Sequence, residues 1–91
     1  LKEKKILDIG CGSGLISKTL LEAGYDVTVI DSDRKAIDIA KKKGIKGFVA
    51  DVNNWQTDEK FDCIISADLL EHIDNDEALT KKIYSFLKPK G

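Results

Sequence analysis

Ninety-one residues with fifteen basic and sixteen acidic side chains give a net charge of −1, so no single-sign field favours nucleic acid or a membrane surface. The composition, 42% hydrophobic and 34% charged with one proline, is that of a soluble globular chain with room for one domain at most. No apolar run approaches the ~18–20 residues of a membrane span, and no signal peptide is visible.

Folding would bury roughly 60–65% of the unfolded surface, a marginal share for a layered α/β architecture. The chain opens at Leu1 in the lead-in to a strand and closes on Lys88-Pro89-Lys90-Gly91, a turn that normally leads onward. Both ends predict a piece of a larger domain. Residues 5–9 read as a short apolar strand. Residues 14–23 carry Ile16, Leu20 and Ala23 at helical spacing, and Gly24 stops that helix. Asp26-Val27-Thr28-Val29-Ile30-Asp31 is a strand by its β-branched content. Ser32 or Asp33 caps a helix over 34–43, with Ala36, Ile37 and Ala40 on one face and Gly44 at its end. Lys41 to Lys43 fall in its last turn, where cations suit the helix dipole. Residues 46–50 form a third strand with Phe48 and Val49, and Trp55 in the polar stretch beyond is a hydrophobic cap over a sheet edge. Residues 61–66 make a fourth, buried strand. A last helix spans about 75–87, started by Asp74 and Glu77 and ended by Pro89, with Leu79, Ile83, Phe86 and Leu87 on its buried stripe.

Alternating strands and helices of these lengths predict a three-layer α/β/α fold around a parallel sheet. Ligands of such sheets sit outside the carboxyl ends of the strands. Those ends collect the polar groups here. The first strand runs into Gly10-Cys11-Gly12-Ser13-Gly14, the second ends in Asp31, the third leads to Asp51, and the fourth ends in Ser66-Ala67-Asp68.

A strand, a glycine turn and a helix in that order let the main chain pass close to a small, nucleotide-like ligand. The glycine count is specific. A dinucleotide fingerprint needs G-x-G-x-x-G, so its third glycine should stand at 15 or 17, where this chain has Leu15 and Ser17. No Gly-Lys-Ser/Thr of a phosphate loop is present either. Asp31, 21 residues after Gly10, can accept both hydroxyls of a ribose. Asp51 can accept from an adenine amino group while the Val52 amide reaches a ring nitrogen, or it can simply form a turn. Asp8 is an odd residue for a buried parallel strand. It either braces the glycine loop through backbone amides or faces an amine of the ligand through water. Cys11 and Cys63 match no metal spacing and no Cys-x-x-Cys, which reads as free thiols in a reducing, cytoplasmic setting.

These segments together resemble the class I S-adenosylmethionine-dependent methyltransferases, specifically the small-molecule methyltransferase domain. The resemblance is carried by residues 6–14, by Asp31, by Asp51-Val52, by Phe61-Asp62, by Leu70-Glu71-His72-Ile73 and by Leu87-Lys88-Pro89-Lys90-Gly91. The last is similar to the family's Leu-x-Pro-Gly-Gly, with Lys90 in place of the first glycine. The resemblance implies S-adenosylmethionine as cofactor. Its methionine end would lie along residues 10–14, that is along Gly10, Cys11, Gly12 and Gly14. The ribose would sit on Asp31 and the adenine near Ser32, Asp51 and Val52, with Ser66 beside the sulfonium. It further implies a Rossmann-like sheet in the order 3-2-1-4, extended in the family to seven strands. The last three strands lie outside these residues, and with them most of the wall against an unidentified, small-molecule methyl acceptor.

Methyl transfer from a sulfonium needs alignment and exclusion of water, and a base only for weak nucleophiles. His72 is the candidate base. Asp68-x-x-Glu71-His72 also resembles the Glu-x-x-Glu-His of two metal-dependent branches, the quinone-biosynthesis O-methyltransferases and the small-RNA 3′-end 2′-O-methyltransferases. Magnesium or manganese would suit that set. Asp68 is one methylene shorter than the branch's Glu, and the pair Glu71-His72 also reads as structural at a helix start. Two further readings stay open: a non-catalytic partner that keeps the cofactor fold, and an NAD-linked oxidoreductase.

Overall fold

The computed structural model describes residues 4–10, 14–66 and 77–89. A four-stranded parallel sheet in the order β3-β2-β1-β4 organises them. The strands are β1 (Lys5–Ile9), β2 (Asp26–Asp31), β3 (Lys46–Val49) and β4 (Cys63–Ile65). The helices are α1 (Leu15–Glu22), α2 (Arg34–Lys42) and α3 (Glu77–Ser85). The expected fold class and strand order are therefore what the chain adopts. β1 lies between β2 and β4, with Asp8 opposite Val29 on one side and Ile65 on the other. Among the described residues no helix is long and apolar enough to cross a membrane.

Side chains alternate across the sheet, so the core splits in two. One cluster joins Ile6, Val27 and Val29 to Ile37, Ala40 and Ile45. The α2 stripe forms as read, because Ala36, Ile37 and Ala40 recur on one turn-to-turn face and all are buried. Asp33 rather than Ser32 caps this helix, its side chain accepting from the Lys35 amide at 2.9 Å. Gly47 lets β3 approach α2: a Cβ there would lie 3.0 Å from Val29 Cγ2 and 3.3 Å from Ile37 Cγ2. The second cluster joins Leu7, Ile9, Ile30, Val52, Phe61 and Phe86, with Trp55 packed against it. Trp55 meets the Phe86 ring edge-on at 5.3 Å between centroids, so it does cap this layer.

Four expectations need correction. Ile16 and Ala23 are exposed, and α1 instead turns Ser17, Leu20 and Leu21 toward the sheet. The cause is polar: Asp8 on β1 takes a hydrogen bond from the Ser17 hydroxyl. Cys63 is exposed, not buried, because among the described residues β4 has a ladder partner on one side only. Regular pairing of the fourth strand is confined to Cys63–Ile65, while Phe61 forms a separate parallel bridge with Leu87. That bridge draws Phe86 and Leu87 out of α3. The Phe61 amide donates to Phe86 O at 2.7 Å, and the Lys88 amide to Phe61 O at 2.9 Å. Asp74 lies outside the described residues.

Candidate functional site

The carboxyl ends of β1, β2 and β3 meet at one edge of the sheet. Each ladder continues one residue past its strand there. The Gly10 amide donates to Ile30 O and the Ala50 amide to Asp31 O, both at 2.9 Å. Gly10 then turns with φ 73° and Gly14 with φ 76°, a region costly for any side chain. Gly14 is the N-cap of α1.

Between these ends lies a cleft of about 300 Å³, at the lower end of the ~300–1,000 Å³ range of small-molecule sites. Its apolar lining is Ile9, Ile30, Ala50 and Val52. Its polar lining is Asp31, Ser32, Asp51 and Asn53, with Gly10 leaving the main chain bare. Of the residues singled out from the sequence, Gly10, Asp31, Ser32, Asp51 and Val52 are thus brought together in one cleft.

The two acids are held alike. Asp31 Oδ1 accepts the Asp33 amide at 2.8 Å. Asp51 Oδ1 accepts the Asn53 amide at 3.0 Å, with Asn53 Nδ2 at 3.3 Å. The turn reading of Asp51 therefore holds, and it consumes only one oxygen. Among the described residues, Oδ2 of each has no hydrogen-bond partner. Among the described residues, no lysine or arginine lines the cleft. Two carboxylates without a cation suit hydroxyl and amino donors and a positively charged ligand, and they repel a phosphate.

Asp8 does not line the cleft. It is 5% exposed, on the α1 side of the sheet. Burial pushes its carboxyl above the usual carboxylate value; the Ser17 hydroxyl pulls it back in part, and the Asp31 charge pushes it up further. Ser66 follows β4 and is half-buried, outside the lining. Gly14 is likewise outside the lining, at the helix start. Cys11, Gly12, Asp68, Glu71 and His72 fall outside the described residues.

Sequence reasoning missed Ile9, Ile30, Ala50 and Asn53. Ile9 and Ile30 sit at or next to the last ladder position of β1 and β2, so their place at the carboxyl edge was available from strand length alone. Asn53 had a weaker signal: it stands two residues after an Asp, the spacing of an Asx turn.

A family model described as "Methyltransferase domain" matches residues 6–91. A ubiquinone biosynthesis O-methyltransferase of Actinobacillus pleuropneumoniae is 33% identical over 101 residues, covering 97% of this chain and 43% of that protein. The crystal structure of a TehB-like SAM-dependent methyltransferase from Corynebacterium glutamicum superposes with a TM-score of 0.78 at 33% identity, covering 96% of this chain and 50% of that one. The N-methyltransferase NodS from Bradyrhizobium japonicum, in complex with S-adenosylhomocysteine, gives a TM-score of 0.81 at 25% identity, covering 97% and 49%. The chain belongs to the methyltransferase-domain family, and its sheet is the Rossmann-like one of the class I S-adenosylmethionine-dependent enzymes. It spans about two fifths of the length of the curated relatives it matches.

Proposed function

We propose that this chain is the cofactor-binding part of an S-adenosylmethionine-dependent methyltransferase acting on an O, N or C nucleophile of a small molecule. One observation carries the reading: Asp31 and Asp51 flank a single cleft over the bare backbone of Gly10, each with one oxygen to spare. An adenosyl group, with its ribose hydroxyls and amino group as donors, fits that pair of acceptors. Asp31 Oδ2 accepts from the ribose hydroxyls and Asp51 Oδ2 from the adenine amino group, while Ile9, Ile30 and Val52 supply apolar contact for the ring. The negative charge of the rim's two carboxylates favours a sulfonium ligand and disfavours a pyrophosphate. Bound S-adenosylmethionine supplies a methyl group already activated for direct displacement. Gly10, Cys11, Gly12 and Gly14 let the main chain approach its methionine end, and Ser66 approaches from β4.

The protein's own task is then alignment and exclusion of water. His72 takes the role of base where the acceptor is a weak nucleophile. The similarity to a ubiquinone biosynthesis O-methyltransferase and to the N-methyltransferase NodS supports a small-molecule acceptor. The unpaired Cys63 fits a reducing compartment such as the cytoplasm.

Thermal unfolding of the full chain with added ligands tests the proposal. S-adenosylhomocysteine at a hundred times its Kd should stabilise by about 2.7 kcal/mol, and NADH should leave the melting temperature unchanged. Stabilisation by NADH alone would return the chain to the oxidoreductase reading. In a protein that carries this chain together with its acceptor wall, label from methyl-tritiated S-adenosylmethionine should then appear in a small phenol or amine; binding without transfer there would make it a non-catalytic partner.

A further inference from the structure

Asp31 and Asp51 differ by one bond. Each takes onto Oδ1 the amide of the residue two places on. At Asp33 the side chain is engaged elsewhere, capping α2 through the Lys35 amide. Asn53 instead gives its side chain back to the acid. Asp51 Oδ1 accepts both the Asn53 backbone amide at 3.0 Å and Asn53 Nδ2 at 3.3 Å. The main chain here is tied as well, since Asp51 O accepts the Asn54 and Trp55 amides, both at 2.9 Å. Val52 and Trp55, the apolar residues of this turn, are seated in the core cluster with Leu7, Ile9 and Phe61. Asn53 also lines the cleft.

We infer that Asn53 is a positioning residue that sets the base specificity of the adenosyl cleft: its two N–H donors hold Asp51 so that Oδ2 meets the 6-substituent of a purine and selects an amino group over an oxo group. A carboxylate oxygen has two lone pairs, and Asn53 occupies both on Oδ1, which leaves Oδ2 as the acceptor for a ligand. A carboxylate gripped by two donors keeps its plane, whereas one held by a single amide is free to swivel. The fixed Oδ2 accepts from a 6-amino group. A 6-oxo group presents a second acceptor there, and its neighbouring N1–H is met only if the carboxylate moves. A site built to accept from a donor rejects the analogue that lacks it. The inference rests on the adenosyl reading for the class of ligand, and on the bonds of Asn53 for the choice of base.

The test measures calorimetric Kd values of the full chain at pH 7 for S-adenosylhomocysteine and for its 6-oxo counterpart, S-inosylhomocysteine. Wild type should prefer the amino compound at least about tenfold. Asn53→Ala keeps the backbone amide and loses the Nδ2 donor at an exposed position, so the fold is retained. It should weaken S-adenosylhomocysteine about threefold or more and leave S-inosylhomocysteine within about twofold, which shrinks the preference. Asn53→Asp keeps the shape of the side chain without a donor and should not restore the preference. Equal weakening of both ligands in Asn53→Ala, with the ratio at its wild-type value, is what a merely structural role gives, and it overturns the inference. A wild-type ratio in Asn53→Asp overturns it too, because the preference would then come from the side-chain oxygen or its bulk. So does a wild type that binds the two compounds equally. All three results leave the adenosyl reading standing. A wild type that binds neither compound overturns that reading and the choice of base with it.

Discussion

Asp31 Oδ1 accepts the backbone amide of Asp33 at 2.8 Å. The bond ties the acid that ends β2 to the residue that starts α2. Asp33 then accepts the Lys35 amide at 2.9 Å and caps the helix. Two acids two residues apart thus divide the work: one faces the cleft, the other holds the helix. Asp33→Ala should cost about 1 kcal/mol of stability, the usual worth of an N-cap. Urea denaturation checks this, with a lower midpoint and an unchanged slope expected.

Asp8 sets a pH dependence. Its folded carboxyl lies above the ordinary value of 3.8, first because it is buried. The folded state therefore binds its proton more tightly than the unfolded chain does. Its contribution favours folding below 3.8 and is lost as pH rises through the folded value. Asp8→Asn does not titrate, so its melting temperature should gain on the wild type as pH rises from about 4 to 7. Asp62 works in the opposite sense. The Lys5 amide and Lys88 hold it below 3.8, so its contribution is lost as pH falls through its folded value. Melts of both proteins across pH check the sign; a constant difference would contradict it.

Gly47→Ala should destabilise by about 1–3 kcal/mol, the range for overpacking a full core. The added methyl would meet Val29 and Ile37. Both are 0% exposed, so neither can swing into solvent. Equilibrium unfolding measures the loss; a more stable variant would mean that α2 shifts freely on β3.

The segment Asp68-x-x-Glu71-His72 allows a clean test of metal use. If Glu71 and His72 are structural or act as base, methyl transfer should run equally fast with and without EDTA. Loss of transfer on chelation, restored by magnesium, would instead assign the three residues as ligands.

Much of the fold was legible because its signals are local. The β-branched run of β2 ends in Asp31 and its bounds read off directly. The acids at strand ends followed from the same alternation, and so did most of the cleft. What escaped depends on distant partners. The buried face of α1 could not be read from Ile16, Leu20 and Ala23, because Asp8, on the neighbouring strand, selects Ser17 instead. Cys63 sits in an apolar run, and only the strand order exposes it. Phe86 and Leu87 continue a helical pattern, and only Phe61 draws them into pairing. Asn53 joins the cleft through a turn geometry that its sequence hints at weakly.

The central claim is that the edge cleft holds an adenosyl ligand by its ribose on Asp31. Calorimetric titration of S-adenosylhomocysteine into the full chain, wild type against Asp31→Ala, tests it most directly. Loss of charge-assisted bonds to two hydroxyls should weaken binding at least tenfold, about 1.4 kcal/mol or more. An unchanged Kd in Asp31→Ala would contradict the account.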